Sequence, residues 1–219
     1  MEIFKADSPY NRFMTVIFNL VLLNILFLVC SLPIVTIGVS CTAMHTVMLR
    51  YAEGDDPYVF KTFFGAFRKN LKQGLIAGIL FFIVGIALII DVKIFSDWGL
   101  SGMATRIVAI LVAILYLFAF IYIFPLIARY ENSLNQHLMN ALILSIRHFP
   151  KSLGIAAMYA GWILLGAYGP ESLFKAWLIF TGIFAIALIA YLQDRVLYDI
   201  FCGNDEKGTG VQLPENSYN

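Results

Sequence analysis

The sequence predicts an all-α fold: a polytopic membrane helix bundle with six spans and two cytoplasmic amphipathic helices lying in the membrane interface. Three observations predict it. The 219 residues are 60% hydrophobic and only 13% charged, with a mean hydropathy of +0.81, where a soluble domain is nearer half apolar and a quarter charged. A packed core of this size does not need so much apolar surface, so the excess is expected to face lipid. The apolar residues also gather into runs near the ~20 residues that cross a hydrocarbon core of about 30 Å. The basic residues, finally, collect on one side of those runs, as the positive-inside bias requires.

In chain order, Phe13–Leu32 is an uncharged first span, interrupted only by Thr15, Asn19, Asn24 and Ser31. No small-x-small site closes it, so it reads as a retained span and not a cleaved signal. Pro33 ends it by removing a backbone donor and turning Leu32 away from the helical region. Ile34–Leu49 is shorter and carries Thr36, Ser40, Thr42, His45 and Thr46. Such small and hydroxylated residues favour helix–helix contact over lipid, which makes this a second, protein-buried span. The alternative is a re-entrant segment, leaving five spans. Leu71–Ile90 is the third span and opens on Gly74-x-x-x-Gly78, a spacing that admits close backbone approach. Ile107–Ala128, kinked at Pro125, is the fourth; Leu153–Gly169 and Ala176–Leu192 are the fifth and sixth. Trp98, Tyr168 and Trp177 are expected at one interface as an aromatic belt. Residues 1–202 thus form a single helical membrane domain, and the polar stretch 203–219 reads as a mobile cytoplasmic tail.

With six spans, twelve basic residues (Lys5, Arg12, Arg50, Lys61, Arg68, Lys69, Lys72, Arg129, Arg147, Lys151, Arg195 and Lys207) share one side. Lys93, Arg106 and Lys175 hold the other, which puts both termini in the cytoplasm. Five spans would weaken the division to ten against five.

The most polar interval, Arg50–Gly74, organises the chain. Asp55-Asp56-Pro57 reads as a helix start, with carboxylates as caps and proline in the first turn. Phe60, Phe63, Phe64, Phe67 and Leu71 then follow at helical spacing as one apolar stripe. Lys61, Arg68, Lys69 and Lys72 occupy the other faces. One reading is an anchor, with aromatics in the acyl boundary and lysines at anionic headgroups. The other is a docking surface for a cytoplasmic partner, carried by Phe60, Lys61, Phe63, Phe64, Phe67, Arg68, Lys69 and Lys72. A second such segment opens at Asn132-Ser133 and runs through Leu134, Leu138, Leu142, Ile146 and Phe149. A shift of 79 residues superposes Arg50 on Arg129, Tyr51 on Tyr130, Arg68 on Arg147 and Lys72 on Lys151, which is the pattern of a parallel internal repeat.

Catalytic and cofactor signatures are missing from the sequence. It contains no phosphate-binding loop, H-E-x-x-H helix or nucleophile elbow. His45, His137 and His148 have no carboxylate or cysteine at ligand spacing, and Cys30, Cys41 and Cys202 read as small hydrophobes. No Asp, Glu, Lys or Arg falls in the middle of an expected span, where an ion-coupled transporter places such groups. No catalytic residue, cofactor or metal is therefore expected, and a net charge of +1 gives no reason to expect nucleic acid. Asn19, Asn24, Pro33, Gly38, Thr42, His45, Gly74 and Gly78 are the candidates for helix packing or a polar path.

At Leu32-Pro33-Ile34-Val35-Thr36-Ile37-Gly38, then Thr42-Ala43, the chain resembles the YesL-like family of uncharacterised bacterial integral membrane proteins. Asn24 upstream and Gly54, Phe60, Phe63, Phe67 and Asn70 downstream fit the same pattern. The resemblance implies a bacterial plasma membrane and, through genes that neighbour carbohydrate importers, sugar uptake. It supplies no catalytic residues. The expected function is a non-enzymatic accessory or subunit of a carbohydrate uptake system of the ABC type, with importer subunits as partners. The alternative is a stand-alone pore or permease acting as a homo-oligomer in the lipid bilayer.

Overall fold

In a computed structural model, residues 9–95 and 103–205 are described, with side chains over 14–91 and 106–203. Trp98 of the expected aromatic belt and the tail beyond Asp205 lie outside them. Every regular element among the described residues is helical: α1 Pro9–Cys30, α2 Ile37–Ala52, α3 Val59–Lys69, α4 Leu71–Phe95, α5 Met103–Arg129, α6 Leu134–Arg147, α7 Phe149–Tyr168, α8 Glu171–Phe180 and α9 Ile186–Asp205. A 3₁₀ turn, Ile34–Thr36, leads into α2, and a π turn, Thr181–Ala185, joins α8 to α9 without a break.

Three helical stretches are long and apolar enough to cross a membrane: Leu71–Asp91, Arg106–Arg129 and Glu171–Gly203. Their large apolar side chains are mostly unburied, among them Ile83, Ile89, Ile110 and Ile179. The described apolar part of α1, Met14–Cys30, is shorter.

The hub is α2, which packs against α9, α3, α4 and α5. Its 16 residues span only about 24 Å, and from Gly38 to Leu49 all but Cys41 are buried. The threonines explain how a polar helix sits in an apolar bundle. Thr42 Oγ1 donates to Gly38 O and Thr46 Oγ1 to Thr42 O, both at 3.0 Å, so each hydroxyl is satisfied on its own helix. The glycines explain how close α2 comes to α4. A Cβ added to Gly78 would lie 2.9 Å from Gly38 Cα, and one added to Gly74 would lie 2.9 Å from Val39 Cα. The two backbones touch there, and no side chain fits between them.

At its other end α2 stops in a Schellman motif: Asp55 N–H donates to Arg50 O and Gly54 N–H to Tyr51 O. Gly54 sits at φ +84°, where a side chain would strain. The expected start of α3 needs correction. The helix begins at Val59 after Tyr58, without a side-chain cap, and Asp55 Oδ1 accepts instead from Asp56 N–H. For α6 the cap is as read: Ser133 and Gln136 form a reciprocal capping box.

Three apolar clusters hold the bundle. One joins α1, α2, α3 and α9 through Leu23, Val47, Met48, Phe63 and Ala190; another joins α5, α6, α7 and α9 through Tyr122, Leu144, Ile155 and Leu197. The third pairs α4 with α5 through Phe81, Phe124 and Ile127.

Candidate functional site

Polar groups buried among apolar helices need partners, and those partners define a seam along α8 and α9. Its first member is Asn24 of α1, fully buried. A π turn widens the helix and leaves carbonyls without their usual donors. Asn24 Nδ2 donates to Thr181 O at 3.1 Å and Gly182 O at 2.7 Å, while its Oδ1 accepts from Ala187 N–H at 3.0 Å. One amide thus closes the irregular turn on both sides.

The second member answers a proline. Pro125 inside α5 has no N–H to offer the carbonyl four residues earlier. That carbonyl belongs to Ile121, and Gln193 Nε2 of α9 donates to it at 2.7 Å. Gln193 Oε1 accepts in turn from Tyr159 Oη of α7 at 2.6 Å.

The third member is ionisable. Asp194, fully buried, places Oδ2 and Oδ1 at 2.8 and 3.0 Å from His45 Nδ1 of α2, which is 4% exposed. Removing either partner would strand the other in apolar surroundings, at a typical cost of about 3–5 kcal/mol. No sequence spacing pairs the two, which lie 149 positions apart, and Asp194 falls two residues beyond the expected end of the sixth span at Leu192. The sixth run does not end at Leu192; the helix continues to Asp205, with Asp194 on its buried face.

His137 of α6 differs. It is fully buried, and neither ring nitrogen has a hydrogen-bond partner. Burial alone pushes its pKa down to about 4, so the ring is neutral at physiological pH.

The candidate docking residues divide. Phe63 is fully buried in the core with α1 and α2, and Phe64 and Phe67 are half-buried against it. The stripe therefore does not form one free aromatic face, because its middle closes onto protein. Exposed on the outer side are Tyr58, Phe60, Lys61, Arg68 and Lys72. Lys69 Nζ, itself half exposed, meets Glu131 at 2.6 Å. The α6 stripe is displaced as well: His137, Ala141, Leu144 and Ser145 are buried, while Ile146 and Phe149 are exposed. Between these regions Arg129 of α5 reaches Glu53 at 2.8 Å, and Gln73 Nε2 donates to Asn132 O at 2.7 Å.

Among the packing candidates, Gly38, Gly74 and Gly78 meet at one crossing, and Asn24 and His45 enter the seam. Asn19 Nδ2 donates to Tyr51 Oη at 2.6 Å outside it. Pro33 is exposed beside Thr36, whose Oγ1 donates to Cys30 O and Pro33 O. Reading along the chain missed Gln193, Asp194 and Tyr159. A signal was present: Ala187, Ala190, Asp194, Leu197 and Phe201 keep one helical face, and all are buried.

A family model described as a protein of unknown function, DUF624, matches residues 20–92. That stretch runs from Leu20 through the Gly38–Gly78 crossing and includes His45 and all of α3. Similarity also extends along nearly the whole chain to the uncharacterised protein YesL of Bacillus subtilis (strain 168). The two are 24% identical over 211 residues, covering 94% of this chain and 96% of YesL. The uncharacterised protein YteU of the same organism is 21% identical over 188 residues, covering 85% of this chain and 81% of YteU. The similarity to YesL points the same way as the resemblance read at Leu32–Gly38. No solved structure gives a significant match.

Proposed function

We propose that this chain is a non-enzymatic integral membrane protein that serves as an accessory or subunit of a bacterial carbohydrate uptake system of the ABC type, docked through α3. The observation that carries the docking is the division of α3. Phe63 fixes one side in the core, while Phe60, Lys61 and Arg68 stay exposed on the other, next to the exposed Tyr58. Tyr58, Phe60 and Arg68 are residue types enriched at interfaces, and Lys61 beside them suits a polar rim. Beside it a cleft of about 570 Å³ between α2 and α3 is lined by Arg50, Asp55, Tyr58 and Lys61, giving the partner a charged edge to grip. Carbohydrate as the cargo rests on the family resemblance alone.

In this reading the chain crosses six times with both termini cytoplasmic, and α3 and α6 lie at the cytoplasmic interface. Cysteine reporters at Asp97 and Glu171 are then labelled from outside intact cells, and reporters at Asp55, Ser133 and Asn204 are not. External labelling at Asp55 would overturn the orientation.

Docking is tested with Lys61, Arg68 and Lys69 changed together to Gln. Headgroup attraction is worth only about 1 kcal/mol per cation, so this variant should insert and purify like the parent. It should lose importer subunits on affinity purification in mild detergent, and salt should weaken the parent complex by screening. Equal recovery of importer subunits from both would remove docking by α3. Recovery of the chain with copies of itself alone would favour the homo-oligomeric permease.

A further inference from the structure

The pair formed by His45 and Asp194 is more than a tie between α2 and α9. The carboxylate has room for several donors, yet among the described residues His45 Nδ1 alone serves it, facing both oxygens. An imidazole that carries one ring proton beside a carboxylate leaves the site with a net negative charge. One further proton, on His45 Nε2 or on the carboxyl group, makes it neutral. Inside apolar protein the neutral state is strongly favoured over the charged one, so the site has a specific use for one exchangeable proton.

Among the described residues His45 is the one cationic group that bonds to Asp194; Arg50, half-buried, stands five residues further along α2. Cys41 lies one turn earlier on α2, and Tyr159 of α7 interacts electrostatically with both Cys41 and Asp194; both are neutral unless they lose a proton. From α5 comes the Ile121 carbonyl, reached through Gln193. Arg129 at the end of α5 is engaged with Glu53 and with the Tyr198 and Phe201 rings. Described α1 side chains from Met14 to Cys30 carry no charge. Lys61, Arg68 and Lys69 of α3 and Lys72 of α4 are exposed, as is Arg195 beside Asp194 on α9, and Asp91 lies far along α4.

A second feature gives the proton something to act on. Eight residues before Asp194, α9 begins at Ile186 directly after the π turn, whose Thr181 and Gly182 carbonyls are held by Asn24. Such turns recur at functional positions and at bends in helices, and this one joins α8 to α9.

We propose that His45 and Asp194 form a proton-binding site, and that its occupancy sets how firmly α9 is seated on α2. The step is acid–base only: a proton from water joins the pair and returns to water, and no other bond forms or breaks. A neutral pair keeps α9 seated. A pair stripped of that proton is a buried anion, which is relieved by α9 tilting at the π turn and admitting water. This goes beyond the docking reading and stands or falls without it.

The test uses the full chain, with Cys30 and Cys202 changed to Ser, in phosphatidylcholine nanodiscs. Spectra of ¹⁵N-histidine protein between pH 5 and 10 follow three rings, and His45→Gln identifies one of them. The His45 ring should titrate reversibly, and Asp194→Asn should move its midpoint by at least about one pH unit, a tenfold change in proton affinity. Alkylation of Cys41, normalised at each pH to the same protein unfolded in detergent, should rise about tenfold as the site loses its proton. In Asp194→Asn, which cannot become an anion, that rise should vanish. A His45 ring that does not titrate over this range overturns the proton site, and the wild-type spectra decide this even if the Asn variant fails to fold. A titrating ring with Cys41 protection unchanged overturns the link to α9.

Discussion

Two histidines are buried in this molecule, and they are buried in opposite ways. His45 lies where α2 meets α9, with a carboxylate against its Nδ1. His137 lies on the buried face of α6, with neither nitrogen partnered. Each is nearly or fully inaccessible, so desolvation acts on both, and the difference is the partner. At the α2–α9 contact Asp194 gives the ring a carboxylate partner at 2.8 Å. The contact made by His137 can only hold a neutral ring. Burial of a titratable group is thus not by itself a functional sign; burial with a single matched partner is.

The sharpest way to break this comparison is to make His45 resemble His137. Asp194→Ala strands the imidazole and should lower unfolding stability by about 3–5 kcal/mol, read by thermal or denaturant unfolding in detergent. Replacing both members, His45→Leu with Asp194→Leu, should recover most of that loss, since two apolar groups leave nothing unsatisfied. A double variant as unstable as the single would mean that packing volume, and not the stranded imidazole, governs this contact.

The next test runs through pH. In the fold, the pKa of His137 is pushed down to about 4, against about 6.5 in an unfolded chain. Between those values the unfolded chain binds a proton that the fold refuses, so stability rises with pH across the window. The fold has full stability above about pH 6.5 and loses up to about 3 kcal/mol as pH falls to 4. His137→Leu should flatten that slope in unfolding measurements and add about 1–3 kcal/mol at neutral pH, because an unsatisfied polar group is removed. A slope unchanged in the Leu variant would assign the acid sensitivity elsewhere.

Much of this architecture was legible. Hydropathy gave the helical class, and small residues at Gly38, Gly74 and Gly78 gave close packing, because both depend on local composition. The seam was not legible, because it is made between residues far apart in the chain. His45 and Asp194 are separated by 149 positions, and no spacing rule pairs them. Counting charges within apolar runs misled here: Gln193-Asp194-Arg195 looks like the polar end of a span when the helix is read as ending at Leu192. The faces of α3 were misjudged for a related reason. Periodicity finds Phe60, Phe63, Phe64 and Phe67 together, but it cannot tell burial in lipid from burial against α1 and α2.

The smallest expected effect isolates the neutral part of the seam from its ionisable part. Gln193 is adjacent to Asp194 yet carries no charge, and it serves the Ile121 carbonyl that Pro125 leaves free. Gln193→Leu should strand that carbonyl and the Tyr159 hydroxyl, at a cost of about 1–3 kcal/mol. Pro125→Ala supplies a backbone N–H four residues after Ile121, so the helix can satisfy the carbonyl itself. The double variant should therefore be more stable than Gln193→Leu by about 1 kcal/mol, and the two changes should not add. Additive losses in this double-mutant cycle would show that Gln193 acts through Tyr159 or through packing, and that the proline has its own reason to be there. Since neither change alters charge, the cycle should read the same at pH 6 and pH 8. A coupling that varied with pH would mean that Gln193 is part of the His45–Asp194 unit, and the division between neutral and ionisable seams would fail at that residue.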